Sequence, residues 1–140
     1  MKNFYNKSEL DIPYHTPDQK QFYFNRCAEF DKVQIGYDKI VFLGDSITEG
    51  GGDWNNYFGT KNIVNRGISG DTTLGVLARL NEICFYKPIS LFLLIGINDI
   101  FNSDSPNRKN VTPLSVSNNI ITIAGIIYKR SPNTQVYIQT

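Results

Sequence analysis

The sequence predicts an α/β protein with a mostly parallel sheet, and three observations predict it. Short β-branched, apolar runs recur along the chain, helices with explicit capping signals stand between them, and each connection is long enough for a crossover. Strands alternating with helices imply βαβ units with right-handed crossovers. The 140 residues suit one domain, 1–140, that buries roughly two-thirds of the surface of its unfolded chain.

Residues 1–15 read as irregular, with scattered aromatics and Pro13. Thr16-Pro17-Asp18-Gln19 then combines an N-cap threonine, a proline at the first helical position and a capping-box glutamine. Phe22, Arg26, Cys27, Phe30 and Val33 follow on or near one face of that helix. Lys39 to Leu43, closed by Gly44, reads as a strand buried on both faces. Gly50-Gly51-Gly52 breaks the chain, and Asn62 to Asn65 form a second strand ended by Gly67. Thr72 or Thr73 caps a helix running through Leu74, Leu77, Leu80 and Cys84 until Pro88 stops it. Ser90 to Ile95 are a third buried strand, followed by a polar stretch from Asn98 to Thr112, long for a connecting loop. Thr112-Pro113 opens a helix with apolar Val116, Ile120, Ile123 and Ile127, and Gln135 to Gln139 form a fourth strand.

Composition excludes several classes of function. Fourteen basic against thirteen acidic residues leave a formal charge of +1, so no global field attracts nucleic acid. No apolar stretch is long enough for a membrane span. The N-terminal region lacks the apolar core of a signal peptide, which points to the cytoplasm, or to the periplasm or secretion if a signal has been removed. Cys27 and Cys84 give neither a disulfide framework nor metal-ligand spacing and read as buried thiols. No metal or cofactor is expected. A P-loop fails for want of a lysine after Glu49, no dinucleotide fingerprint occurs, and Thr48 breaks the Gly-x-Ser-x-Gly elbow.

Ligands of open parallel sheets bind beyond the carboxyl ends of the strands. That rule selects Gly44-Asp45-Ser46, Asn65-Arg66-Gly67 and Gly96-Ile97-Asn98-Asp99. Ser46 at a strand-to-helix junction suits a nucleophile whose own N–H later binds an oxyanion; an ordinary N-cap serine is the bland alternative. Gly67 lets a backbone N–H approach a ligand closely, or simply turns the chain. Asn98 brings side-chain donors to the sheet mouth, or closes a local turn. Together they supply one nucleophile and preorganised donors of the kind that dominate acyl transfer.

The same words resemble a known family. Gly44-Asp45-Ser46-Ile47-Thr48, Asn65 to Thr73 and Gly96-Ile97-Asn98-Asp99 are similar to blocks I, II and III of the SGNH/GDSL hydrolases over roughly residues 20–140. The resemblance implies a flavodoxin-like, three-layer fold. It also implies ester hydrolysis through an acyl-enzyme, with Ser46 as nucleophile and Gly67 and Asn98 as oxyanion donors. Asp45, Asp71 and Asp99 fall inside the motifs and are read as shaping the loops. The bacterial acetylhydrolase and carbohydrate O-acetylesterase branch is the most similar, which makes a small-molecule ester, an acetylated carbohydrate among them, the expected partner.

The family's fifth block, Asp-x-x-His, which carries the general base and the carboxylate that orients it, is not present in this chain. The fold's last strand and helix are expected to be lacking with it, and a sheet face left bare would favour a homo-oligomer. His15, the single histidine, precedes the whole sheet and reads as a surface or satisfied residue. The competing function is a non-catalytic carbohydrate- or anion-binding protein on the same fold.

Overall fold

Thr16 starts the first helix as its neighbours dictate. Its hydroxyl accepts the Gln19 N–H at 3.2 Å, and the Gln19 side chain accepts the Thr16 N–H at 3.0 Å. The computed structural model describes residues 2–5, 12, 13, 15–101 and 110–140. Their order is α1 (Pro17–Lys32), β1 (Ile40–Gly44), α2 (Ser46–Gly50), α3 (Asn55–Phe58), β2 (Ile63–Gly67), α4 (Thr73–Leu77), α5 (Asn81–Tyr86), β3 (Ser90–Leu94), α6 (Ile97–Phe101), α7 (Pro113–Arg130) and β4 (Gln135–Ile138).

The four strands form one parallel sheet in the order β2-β1-β3-β4. The expected α/β class with a parallel sheet is what the chain adopts. Register is set by burial: Val41 and Leu43 of β1 lie beside Leu91 and Leu93 of β3, all fully buried on one face. Val76 of α4, Ile83 and Cys84 of α5, and Ile123 and Ile127 of α7 complete that core. The apolar stripe expected on α7 is therefore the one that packs. Beside β2, α1 contributes Tyr23, Cys27 and Phe30 to a second cluster with Tyr5, Ile12 and Ile68. On that helix Cys27 and Phe30 are buried as expected, but Phe22 and Val33 face solvent, and Tyr23 takes the inward place.

The opposite sheet face is only half covered. Phe42 and Phe92 are intermediate in burial, so β1 and β3 are not buried on both faces as their apolar runs suggest. Trp54, the residue before α3, and Phe58 of α3 lean on Phe42, with ring centroids 5.3 and 5.9 Å away. Next to them lies an apolar cavity of about 400 Å³ floored by Phe42 and Phe92. On β4, Tyr137 and Ile138 are nearly half exposed.

Two expected elements differ. The helix read from Thr73 to Cys84 is two helices, α4 and α5, interrupted at residues 78–80. The interruption turns Arg79 inward, where its guanidinium is fully buried among backbone carbonyls. The polar stretch read as a loop from Asn98 begins as α6, and Arg108 and Lys109 within it lie outside the described residues. No helix among the described residues is long and apolar enough to cross a membrane. Cys27 and Cys84 are both buried and unpaired, and burial pushes the Cys27 thiol up to about 12.

Candidate active site

The strand order puts β1 between β2 and β3, so the segments that follow these strands are neighbours at one end of the sheet. Gly44 is paired in register with Gly67 on one side and with Leu94 on the other.

Ser46 is the first residue of α2 and is exposed. The passage from strand to helix takes one residue, Asp45, whose carboxylate accepts the Ile47 N–H at 3.0 Å as an N-cap. A Cβ on Gly44 would stand 2.3 Å from both the Leu94 carbonyl and the Thr48 hydroxyl, so only glycine permits so tight a junction. Asp45 is buried, and desolvation raises its carboxyl above the usual range while the Ile47 N–H opposes the shift.

Gly67 closes β2 and is buried. A Cβ there would meet the Glu49 nitrogen at 2.1 Å, so the missing side chain is what allows α2 to lie on β2. Its N–H donates to Asn65 Oδ1 at 2.8 Å. The Asn65 amide in turn donates to the carbonyls of Thr48 and Gly52, each at 2.9 Å. A ligand oxygen at this N–H must therefore share it with Asn65 or displace that side chain. Gly67→Ala is expected to displace α2 and Ser46 with it, costing on the order of 3 kcal/mol as an overpacked site. Urea unfolding of the variant checks this, and an unchanged midpoint would count against the close packing.

Asn98 lies in the first turn of α6, just past β3. Gly96, at φ +123, makes the turn between them. The Asn98 side-chain amide donates to the Asp71 carbonyl at 2.9 Å, which ties the loop after β3 to the loop after β2.

Asp71 and Asp99 hold these loops from beneath, as Asp45 does for α2. Asp71 accepts from Arg79 Nε and Nη2 at 2.9 and 2.7 Å and from the Thr72 N–H at 2.9 Å. Burial pushes its carboxyl up to about 6, and the Arg79 guanidinium pulls the other way. Asp99 accepts the Thr73 N–H, at 3.0 Å to one oxygen, and the Thr73 hydroxyl at 2.6 Å. Asn119 of α7 donates to that hydroxyl at 2.9 Å. Asn110, Ser115 and Asn119 join Thr72 and Asp99 around a cavity of about 120 Å³ beside these loops.

Some of the machinery goes unread in the sequence. Glu49 accepts both the Ser69 N–H, at 2.5 Å, and its hydroxyl, at 2.6 Å, and faces Arg26 Nε at 3.1 Å, which latches α1 and α2 onto the turn after Gly67. Arg79 donates to the Arg66 carbonyl at 2.8 Å and the Gly44 carbonyl at 3.1 Å. A charged residue between Leu77 and Leu80 was the available signal for it. His15 stands edge-on to Tyr23 at 5.5 Å, beside α1. Among the described residues no group of three or more His, Cys, Asp or Glu side chains is placed to hold a metal ion.

The fold matches 31 chains among solved structures. The chain superposes on a protein of Parabacteroides merdae described as a GDSL-like lipase with a TM-score of 0.59 and 26% identity, covering 75% of this chain and 61% of that one. A protein of Streptococcus pneumonia described as a platelet activating factor gives 0.65 and 30%, covering 86% and 53%. An acetylxylan esterase from Geobacillus stearothermophilus gives 0.56 and 24%, covering 75% and 60%, a likeness of fold. The chain thus spans between 53% and 61% of the length of these proteins. No curated protein matches it. Residues 42–140, from β1 through β4 and including all three strand-end segments, match the model of one family, and the chain belongs to it: the GDSL-like lipase/acylhydrolase family.

Proposed function

We propose that residues 1–140 supply the nucleophile and oxyanion hole of a serine esterase that cleaves a small acyl ester, acetyl foremost, through an acyl-enzyme. What carries this reading is an exposed serine at the start of α2, flanked at the same sheet end by Gly67 and Asn98, within a family of acylhydrolases.

The Ser46 hydroxyl attacks the ester carbonyl and forms the C–O bond as its proton passes to a general base. The carbonyl oxygen gains the negative charge, and the N–H groups of Ser46 and Gly67 and the Asn98 amide stabilise it. Collapse of the tetrahedral intermediate expels the alcohol, and water then hydrolyses the acyl-serine by the same steps. The scheme requires a general base, the role that the family resemblance gives to the histidine of an Asp-x-x-His block. His15 lies on the α1 side against Tyr23 and has no part in this scheme. The acetyl preference draws on the acetylxylan esterase neighbour.

Hydrolysis of 4-nitrophenyl acetate by a version extended through the following reading frame tests the proposal. Turnover that Ser46→Ala abolishes is the expected result. Binding of acetylated sugar without turnover would replace the esterase with a carbohydrate-binding protein. Within an active version, Asn98→Ala should lower kcat by ~10²–10³-fold with KM little changed, because this donor acts mainly on the transition state. A change confined to KM would make Asn98 a substrate-binding residue instead.

A further inference from the structure

We propose that Arg79 is a positioning residue for the oxyanion hole, aiming and polarising the Arg66–Gly67 peptide, whose N–H donates to Asn65 Oδ1 in this structure and is assigned to the developing charge in the scheme above. The inference rests on the assignment of Ser46, Gly67 and Asn98 given above.

Arg79 is 2% exposed and spends its guanidinium on three acceptors. Nε and Nη2 meet Asp71 Oδ2, Nη1 meets the Arg66 carbonyl at 2.8 Å, and Nη2 meets the Gly44 carbonyl at 3.1 Å. The Arg66 carbonyl adjoins Gly67, the Gly44 carbonyl lies two residues before Ser46, and Asp71 is bonded to Asn98. The Arg66 carbonyl belongs to the same planar unit as the Gly67 N–H, so anchoring the oxygen sets the direction of the hydrogen on the opposite side. A cationic donor on that oxygen also polarises the amide and strengthens its N–H as a donor. The Gly44 carbonyl belongs to the peptide leading into Asp45, directly before Ser46. Asp71 offers its carboxylate to Arg79 and its main-chain carbonyl to the Asn98 amide at 2.9 Å. One buried cation therefore bears on all three parts of the site.

Holding the strands together does not require this cation. β1 and β2 already pair along five registered residues, and the Ile68 N–H donates to the Gly44 carbonyl at 3.0 Å. Burying a guanidinium and a carboxylate is costly, and apolar side chains of similar volume often serve stability as well. Arg79 also lies in the break between α4 and α5, outside both helices.

Two variants test the proposal. Arg79→Lys keeps the charge facing Asp71 but has a single nitrogen, unable to serve the Arg66 and Gly44 carbonyls together with Asp71 in the planar fork that Arg79 provides. Arg79→Gln combined with Asp71→Asn removes both charges at once, and it is read in the same way if the lysine variant does not fold. In residues 1–140, the Gly67 amide proton resonance should move upfield in either variant while the rest of the spectrum stays dispersed. In an active, extended version kcat should fall by about tenfold or more with KM little changed, less than for loss of a whole oxyanion donor. A folded variant with an unmoved Gly67 resonance and unchanged kcat overturns the proposal. A moved Gly67 resonance together with hydrolysis indifferent to Ser46→Ala supports the hold of Arg79 on this peptide and refutes the esterase reading instead.

Discussion

Residues 1–140 alone are expected to hydrolyse acetate esters weakly, on the order of 10²–10⁴-fold below a version that carries an Asp-x-x-His block, since that is the range a general base contributes. A serine hydroxyl at neutral pH is a poor nucleophile until a neighbouring group takes its proton. The chain's only histidine packs edge-on against Tyr23 of α1 and is given no part in the proposed scheme. Preorganised donors still act without a base, so a residual rate dependent on Ser46 is expected; serine proteases stripped of triad members retain roughly 10³–10⁴-fold over water. The comparison needs three proteins side by side: the 140-residue chain, its Ser46→Ala variant and the extended version. Fast turnover by the short chain that depends on Ser46 would contradict the expectation, and His15→Ala would then show whether that histidine is the base.

The largest effect on stability is expected at Glu82, which is fully buried. It accepts the Arg66 guanidinium through both oxygens, at 2.9 and 3.0 Å, the Ile35 N–H at 2.8 Å and the Tyr5 hydroxyl. Arg66 in turn donates to the Val33 carbonyl at 2.7 Å and lies over the Phe30 ring. Glu82→Ala leaves the arginine buried and without its carboxylate, a loss of about 3–5 kcal/mol. For a chain of this length that corresponds to on the order of 10 °C in Tm. Replacing both partners with apolar residues, Arg66→Met with Glu82→Leu, should recover much of the loss, because the cost lies in the unpaired charge. Circular dichroism melts of the two variants and the parent decide it. A single variant within about 1 kcal/mol of the parent would show that water reaches Arg66.

How legible this molecule was in its sequence follows from which forces are local. The capping boxes at Thr16 and Thr112 act within four residues, and both helices start where those words stand. β1 and β3 declare themselves as apolar runs because one face of each is buried and the other half covered. The strand-end segments were visible for the same reason, since strand ends fix where the polar words fall. The halves that stayed hidden depend on distant partners. At the break between α4 and α5, Arg79 reaches carbonyls of β1 and β2, contacts 35 and 13 residues away in the chain. Gly67 looked like a ligand-facing glycine, yet its first reason is the α2 backbone lying 2.1 Å from where a Cβ would stand. Glu82 read as one more helix residue, although its partners are Tyr5, Ile35 and Arg66.

The most direct measurement of the esterase reading is to locate the acyl group. An extended, active version is mixed with 4-nitrophenyl acetate, quenched in acid during the first turnover and digested for peptide mass mapping. One acetyl group on Ser46, absent from Ser46→Ala and lost with time, is the predicted result. Acetyl on any other residue, or a burst of product with Ser46 unmodified, would contradict Ser46 as the nucleophile.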